Sequence, residues 1–174
     1  MKFKELRNAI IRNLWVYLGC PVILDGQVQP EPEPPFGIYS VTTPYSSTGE
    51  MGNYSVAGLG DGTAAETRTE LPSATFSFTF CSWNHEGPDG EPVSGEDEAE
   101  DLAEKAAAYF LHTGYDDFLK LGVAVVDIGQ VQPRTTLVID EAARRYGFDV
   151  RIRYTRQDTR RISTVETVQI VKKE

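Results

Sequence analysis

The sequence predicts an α+β domain: a mostly antiparallel β-sheet packed against two main α-helices, with a long glycine-rich loop or hairpin arm. Three observations carry that reading. Residues 3–18 place Phe3, Leu6, Ile10, Leu14 and Leu18 at three- and four-residue steps. "SATFSFTFCSW" and "FDVRIRYT" alternate apolar and polar residues, as half-buried strands do. Strand patterns follow one another in runs, without the strict alternation with helices that a parallel sheet needs. The chain has 174 residues and a hydrophobic content of 40%, enough for one domain with a core of its own.

Residues 1–20 hold the first helix, stopped by Gly19 and Pro21. "PVIL" is a short strand closed by the Asp25-Gly26 turn signal. "QPEPEPPFG" is an extended connector, and its PxxP spacing is only a weak signal of a proline-motif ligand. "FGIYSVTT" is a strand entered from proline, which the first position of a strand allows. Residues 44–72 read as an extended loop or arm. Its "GLGDGT" lacks the lysine, the spacing and the following helix of a phosphate loop.

Phe76, Phe78 and Phe80 share one face of the next strand with Ala74, a core signature. "NHEGPDGEPVSGEDEAED" is an acidic loop that does not match calcium-loop spacing around His85. Ser94 caps a second helix, expected over 96–113, with Ala99, Leu102, Ala103, Ala106, Tyr109 and Phe110 as its buried stripe. Small alanines let such a helix lie close on a sheet. "YDDFLKLG" adds one more helical turn, and "VAVVDIG", "TTLVID" and "FDVRIRYT" are strands. The segment 140–146 fits either a short helix or a bent strand. Residues 160–174 form a β-rich tail ending in charge.

The formal charge is −9 at pH 7, which argues against a general nucleic-acid binder while leaving room for a local basic stripe. Arg7, Asn8, Arg12 and Asn13 interrupt the apolar positions near the start, unlike a signal peptide, so an intracellular protein is expected. Cys20 and Cys81 have no metal-ligand spacing and read as buried free thiols.

No catalytic motif is present: neither GxSxG, HExxH, Walker A nor a Rossmann glycine pattern occurs. His85 and His112 lie beside no nucleophile motif, and His112 suits a helix C-terminus. Asp127 and Asp140 are the acids embedded in apolar runs, where an ion pair with a nearby arginine explains them better than catalysis. The expectation is a protein without enzymatic activity, cofactor or metal.

One resemblance covers nearly the whole chain. "PEPPFGIYSVTTP" after a short helix, then "ATFSFTFCSW", then "VVDIGQVQPRTTLVIDEAARRYGFDVRIRY", resembles the tailed-bacteriophage neck terminator, or tail-completion, family. The strongest part is Asp140-Glu141 followed by "RRYGFDVRIRY"; the glycine-rich loop, the acidic loop and the tail fit less well. The resemblance implies a structural virion subunit, assembled in the host cytoplasm into a six-fold ring. That ring joins the portal, adaptor or head-completion proteins to the tail tube and lets genomic DNA through without specific binding. It implies no catalytic residues. The alternative is a standalone module that binds protein or nucleic acid through the basic strand 144–156.

Contact candidates follow from that frame. Arg144, Arg145, Arg151 and Arg153 line the basic strand. Arg151 and Arg153 have three readings: they meet acidic residues of an adjacent subunit or ring, pair internally with Glu66, Glu70 or Asp127, or face DNA in the lumen. Tyr45, Met51, Tyr54 and Leu59 mark the 45–66 stretch as more than solvating loop, because tyrosine and methionine favour interfaces. That stretch reads as an arm ordered against a neighbour, or as an internal hairpin packed on its own sheet.

Overall fold

Helix α1 (Phe3–Leu18) forms where the apolar spacing places it and buries Leu6, Ile10, Ile11, Leu14 and Leu18. The Lys2 backbone N–H donates to Glu5 Oε2 at 3.0 Å, so the helix start is satisfied by its own first turn. Gly19 ends the helix in the left-handed region at φ 75°, a conformation without steric cost only for glycine. The protein is described by a computed structural model over residues 2–134 and 144–163.

After α1 come β1 (Val22–Leu24), β2 (Phe36–Ser46), β3 (Asn53–Gly58), β4 (Thr63–Glu70), β5 (Ser73–Ser82), and the two-residue strands β6 (His85–Glu86) and β7 (Pro92–Val93). Then follow α2 (Gly95–Ala108), a π-helical turn over Tyr109–Thr113, α3 (Tyr115–Leu121), β8 (Val123–Ile128), β9 (Gln132–Pro133), β10 (Arg144–Tyr154) and β11 (Arg156–Ser163). The central sheet runs β1-β2-β5-β10-β8, with β9 also on β10. Its pairings are antiparallel except β1 with β2, which run parallel. The α+β class with a mostly antiparallel sheet is therefore the fold.

The core lies between this sheet and the helices. β5 turns Ala74, Phe76, Phe78 and Phe80 inward and β10 turns Phe148, Val150 and Ile152 inward, all fully buried. α2 packs across β5 and β10. Its contact residues Ala99, Ala103 and Ala106 are fully buried, so the helix backbone approaches the sheet closely. Phe110 then reaches Phe78 and Phe148, with ring centroids 5.2 and 6.3 Å away. Ser94 caps α2, its Oγ accepting from the Asp97 N–H.

Three expectations change in form. The single extra turn is a seven-residue helix, α3, because Phe118 is buried between Tyr109 and Phe110. The second helix ends at Ala108, and residues 109–113 continue it as a π-turn. Much of the stretch 44–72 is strand: β3 pairs with β4, and β4 with β11, in a separate three-stranded sheet ordered β11-β4-β3. Glycine count concealed those strands, since pairing depends on partners distant in sequence. Arg144–Tyr146 are strand, while 140–143, the strand expected at "TTLVID" and the tail from 164 lie outside the described residues.

The central strands β5 and β10 run on into β4 and β11 through Leu71-Pro72 and Thr155. The small sheet is thus a ribbon-like extension of the large one. Its register places Tyr54, Arg68 and Asp158 side by side on one face, with Val56, Glu66 and Arg160 in the next row. Thr67 and Thr159 hydrogen-bond across the other face at 3.0 Å.

Candidate functional site

Helices cover one face of the central sheet. The opposite face is formed by the alternate residues of each strand: Thr75, Ser77 and Thr79 of β5, and Arg145, Gly147, Asp149, Arg151 and Arg153 of β10. Period-2 geometry makes this arrangement obligatory once Phe148, Val150 and Ile152 are buried. Arg151 and Arg153 are exposed on it. Neither has a carboxylate within ion-pair distance among the described residues.

The internal partners expected for them are otherwise engaged. Glu66 is held by Arg160. Glu70 is taken by Arg68 at 2.6 Å and lies 3.7 Å from Arg156. Asp127 is the cross-strand partner of Arg151, yet the two form no ion pair, and Asp127 is itself exposed. A bulge between Arg151 and Ile152 disturbs the register there. The intramolecular reading of these two arginines, and the ion-paired reading of Asp127, are thereby corrected; Asp140 lies outside the described residues.

The four arginine candidates do not act as one group. Arg144 points to the helix side with Tyr146 and approaches Glu96 of α2 at 4.0 Å. Arg145 is on the open face but only partly exposed, beside Cys81 in register. Arg151 and Arg153 remain as the exposed pair of that face.

A further arginine organises the same face. Arg134 lays its guanidinium over Gly147 and donates to Ser77 Oγ at 2.7 Å, Phe78 O at 3.2 Å, Thr79 Oγ1 at 3.3 Å and Asp149 Oδ1 at 2.8 Å. A Cβ on residue 147 would stand 2.2 Å from Phe78 O and 2.9 Å from Arg134 Cδ, so glycine makes room for this crossing. Partial burial opposes the charge on Asp149, but hydrogen bonds from Arg134 and Ser77 outweigh it and hold the carboxyl below its usual range. The glycine within an otherwise alternating strand was the available signal for this close approach.

The arm candidates also divide. Tyr45 is used inside the subunit: its hydroxyl donates to Glu70 at 3.1 Å, and Arg156 stacks 5.1 Å over its ring. Together Tyr45, Arg68, Glu70 and Arg156 fasten the small sheet to the large one around a buried carboxylate. Sequence spacing gives no hint of that cluster, since its members come from three strands. Met51, Tyr54 and Leu59 are exposed, with Val56 beside them at 61%. Leu59 sits at the turn between β3 and β4, where Arg161 pairs with Asp61.

No group of three or more His, Cys, Asp or Glu among the described residues could hold a metal ion. His85 sits against the Trp83 carbonyl at 3.0 Å, in the acidic loop. Cys20 and Cys81 are buried free thiols. Burial pushes the Cys81 thiol up to about 11, ahead of the opposing pull of the Arg145 charge. Folded protein at pH 8 is therefore expected to leave a disulfide-exchange reagent such as Ellman's unreacted, and to release both thiols on denaturation. Rapid labelling of the native protein would contradict this burial. No described helix is long and apolar enough to cross a membrane.

The fold is a small α+β unit in which the exposed candidates Arg151, Arg153, Met51, Tyr54 and Leu59 lie at the surface. Comparison with known families narrows the class. The chain matches the family model described as phage neck terminator protein over residues 6–174, nearly its full length, and belongs to that family. No curated protein matches it. Membership makes it a bacteriophage neck structural protein, with its place in the virion, as the order of motifs along the chain anticipated.

Proposed function

We propose that copies of this chain form a ring, six-fold in the simplest case, at the head–tail joint of a tailed phage. The ring connects the portal, adaptor or head-completion proteins on one side to the tail tube on the other. Genomic DNA passes through its lumen without specific binding, and the subunit catalyses no reaction. Assembly takes place in the host cytoplasm, before the particle is complete.

The observation that carries this reading is the open sheet face, with two arginines that pair with no described carboxylate, in a family of neck proteins. A lumen built for DNA movement gains nothing from gripping phosphates, because each cationic contact adds salt-dependent affinity. A formal charge of −9 suits such a passage. Exposed Tyr54 on β3, with Met51 before it and Leu59 in the turn after it, supplies a second contact surface. The exposed residues of that sheet are ordered further when a neighbour covers them.

A phage carrying a stop codon in this reading frame tests the joint. Filled heads and separate tails should accumulate, and a plasmid copy of the gene should restore joined particles. Normal joined particles without the chain would refute the reading. Hydrogen exchange tests the arm: amides across 48–62 should exchange faster than those of β5 in the free subunit and slow on assembly. Equal protection in both states would remove the arm from the interface.

A further inference from the structure

Resting on the ring reading, we propose that the open sheet face around Arg151 and Arg153 docks onto the outward acidic stripe of α2 in a second copy of this chain. The stripe consists of Asp97, Glu100, Asp101 and Glu104, all exposed. None of the four makes an ion pair with a described residue. The one lysine of the helix, Lys105, lies 5.6 Å over the Tyr17 ring.

Neither surface is neutralised by an ion pair to a described residue. The arginines of the small sheet, by contrast, are engaged: Arg68 with Glu70, Arg156 with Asp158, Arg160 with Glu66 and Arg161 with Asp61. The small sheet therefore presents paired charge, whereas Arg151 and Arg153, with Asp127 beside Arg151, and the four acids on the outer side of α2 form no ion pair with a described residue. Spacing also agrees. Arg151 and Arg153 are two residues apart on a strand, roughly 7 Å, and Glu100 and Glu104 are one helical turn apart, roughly 6 Å. Each guanidinium can meet a carboxylate of its own along the helix. Asp127, in register with Arg151, repels a carboxylate approaching from that side and so centres the contact toward Arg153.

The two surfaces lie on opposite faces of the sheet, since α2 packs on the inner side of β5 and β10. One neighbour cannot occupy both at once. The contact is therefore heterologous, joining different patches, and it propagates from subunit to subunit until rotation closes it. Complementary faces of this kind steer association and suppress wrong register.

A charge exchange between the two faces tests this. One variant carries Arg151→Glu and Arg153→Glu, the other Glu100→Lys and Glu104→Lys. Purified full-length proteins are followed by sedimentation, with circular dichroism to establish that each is folded. The unaltered chain should self-associate more weakly as salt rises. Each variant alone should lose association by at least about a hundredfold, since like charges face each other across the contact. An equimolar mixture of the two variants should regain it.

A mixture that stays monomeric, or unaltered protein that remains monomeric at about 1 mM, overturns the contact. If only the arginine variant fails while the α2 variant associates normally, α2 is not the partner, although the ring reading survives. If the arginine variant associates normally but loses binding to labelled duplex DNA, the face belongs to nucleic acid and the proposal fails. Failure of the ring reading would appear separately, as joined particles in the phage lacking the gene.

Discussion

Arg151→Glu with Arg153→Glu is expected to lower the yield of infectious particles by at least about a hundredfold, with heads and tails accumulating unjoined. Both side chains are exposed on a strand whose alternate residues form the core, so their direction is fixed by burial of Val150 and Ile152. Neither loses an ion pair to a described residue when replaced. A glutamate introduced at position 151 would stand in register with Asp127, a like-charge pair costing less than about 1 kcal/mol on a sheet surface. The purified subunit should therefore melt within a few degrees of the unaltered one. The effect on assembly is larger because reversal turns each attraction in the contact into repulsion under partial desolvation. Plaque counts of a complemented deletion phage, with electron microscopy of the lysate, measure it. Normal yield from the folded double variant would exclude this face from the joint.

Phe78→Ala is expected to be the most damaging of the core truncations, costing about 3–5 kcal/mol. The ring is fully buried, and Phe76, Phe110 and Phe148 surround it with centroids 6.1, 5.2 and 5.8 Å away. Those neighbours belong to β5, the π-turn after α2 and β10, elements that cannot collapse together into the vacated space. For a chain of this length the loss corresponds to a fall in Tm of roughly 10 °C. Urea denaturation of the purified protein gives the free energy directly. A cost below about 1.5 kcal/mol would mean that the site relaxes and that these rings do not form one packed unit. The same experiment on the arginine variant should give almost no change, so the two substitutions separate assembly from folding.

What could be read along the chain was whatever depends on local periodicity. Residues 3–18 form α1 because the 3.6-residue repeat and the Gly19-Pro21 stop are local signals. β5 and β10 form because strict alternation commits one face to burial. The free thiols followed from the lack of ligand spacing. The neck-terminator membership followed from the order of these elements with the strand around Arg144–Tyr154.

Other features depended on which strands become neighbours. Residues 53–58 contain too little apolar periodicity to announce a strand; β3 exists because β4 offers it hydrogen bonds and β11 supports β4 from the other side. The Tyr45, Arg68, Glu70 and Arg156 cluster assembles only when β2, β4 and β11 meet at the base of the small sheet.

The α+β class and the helical and strand periodicities of the core were thus legible in the one-dimensional chain, because they rest on patterns a few residues long, and the family was legible from the order of such patterns along nearly the whole chain. Which charges are spent was settled in three dimensions. Glu66, Glu70 and Asp127 were equal candidates to neutralise Arg151 and Arg153 in sequence. Register assigned the first two to Arg160, Arg68 and Arg156, and left the third without an ion pair to a described residue. Ion pairing requires approach within a few ångströms, and residues far apart in sequence acquire that proximity only from strand register and the packing of one layer on another.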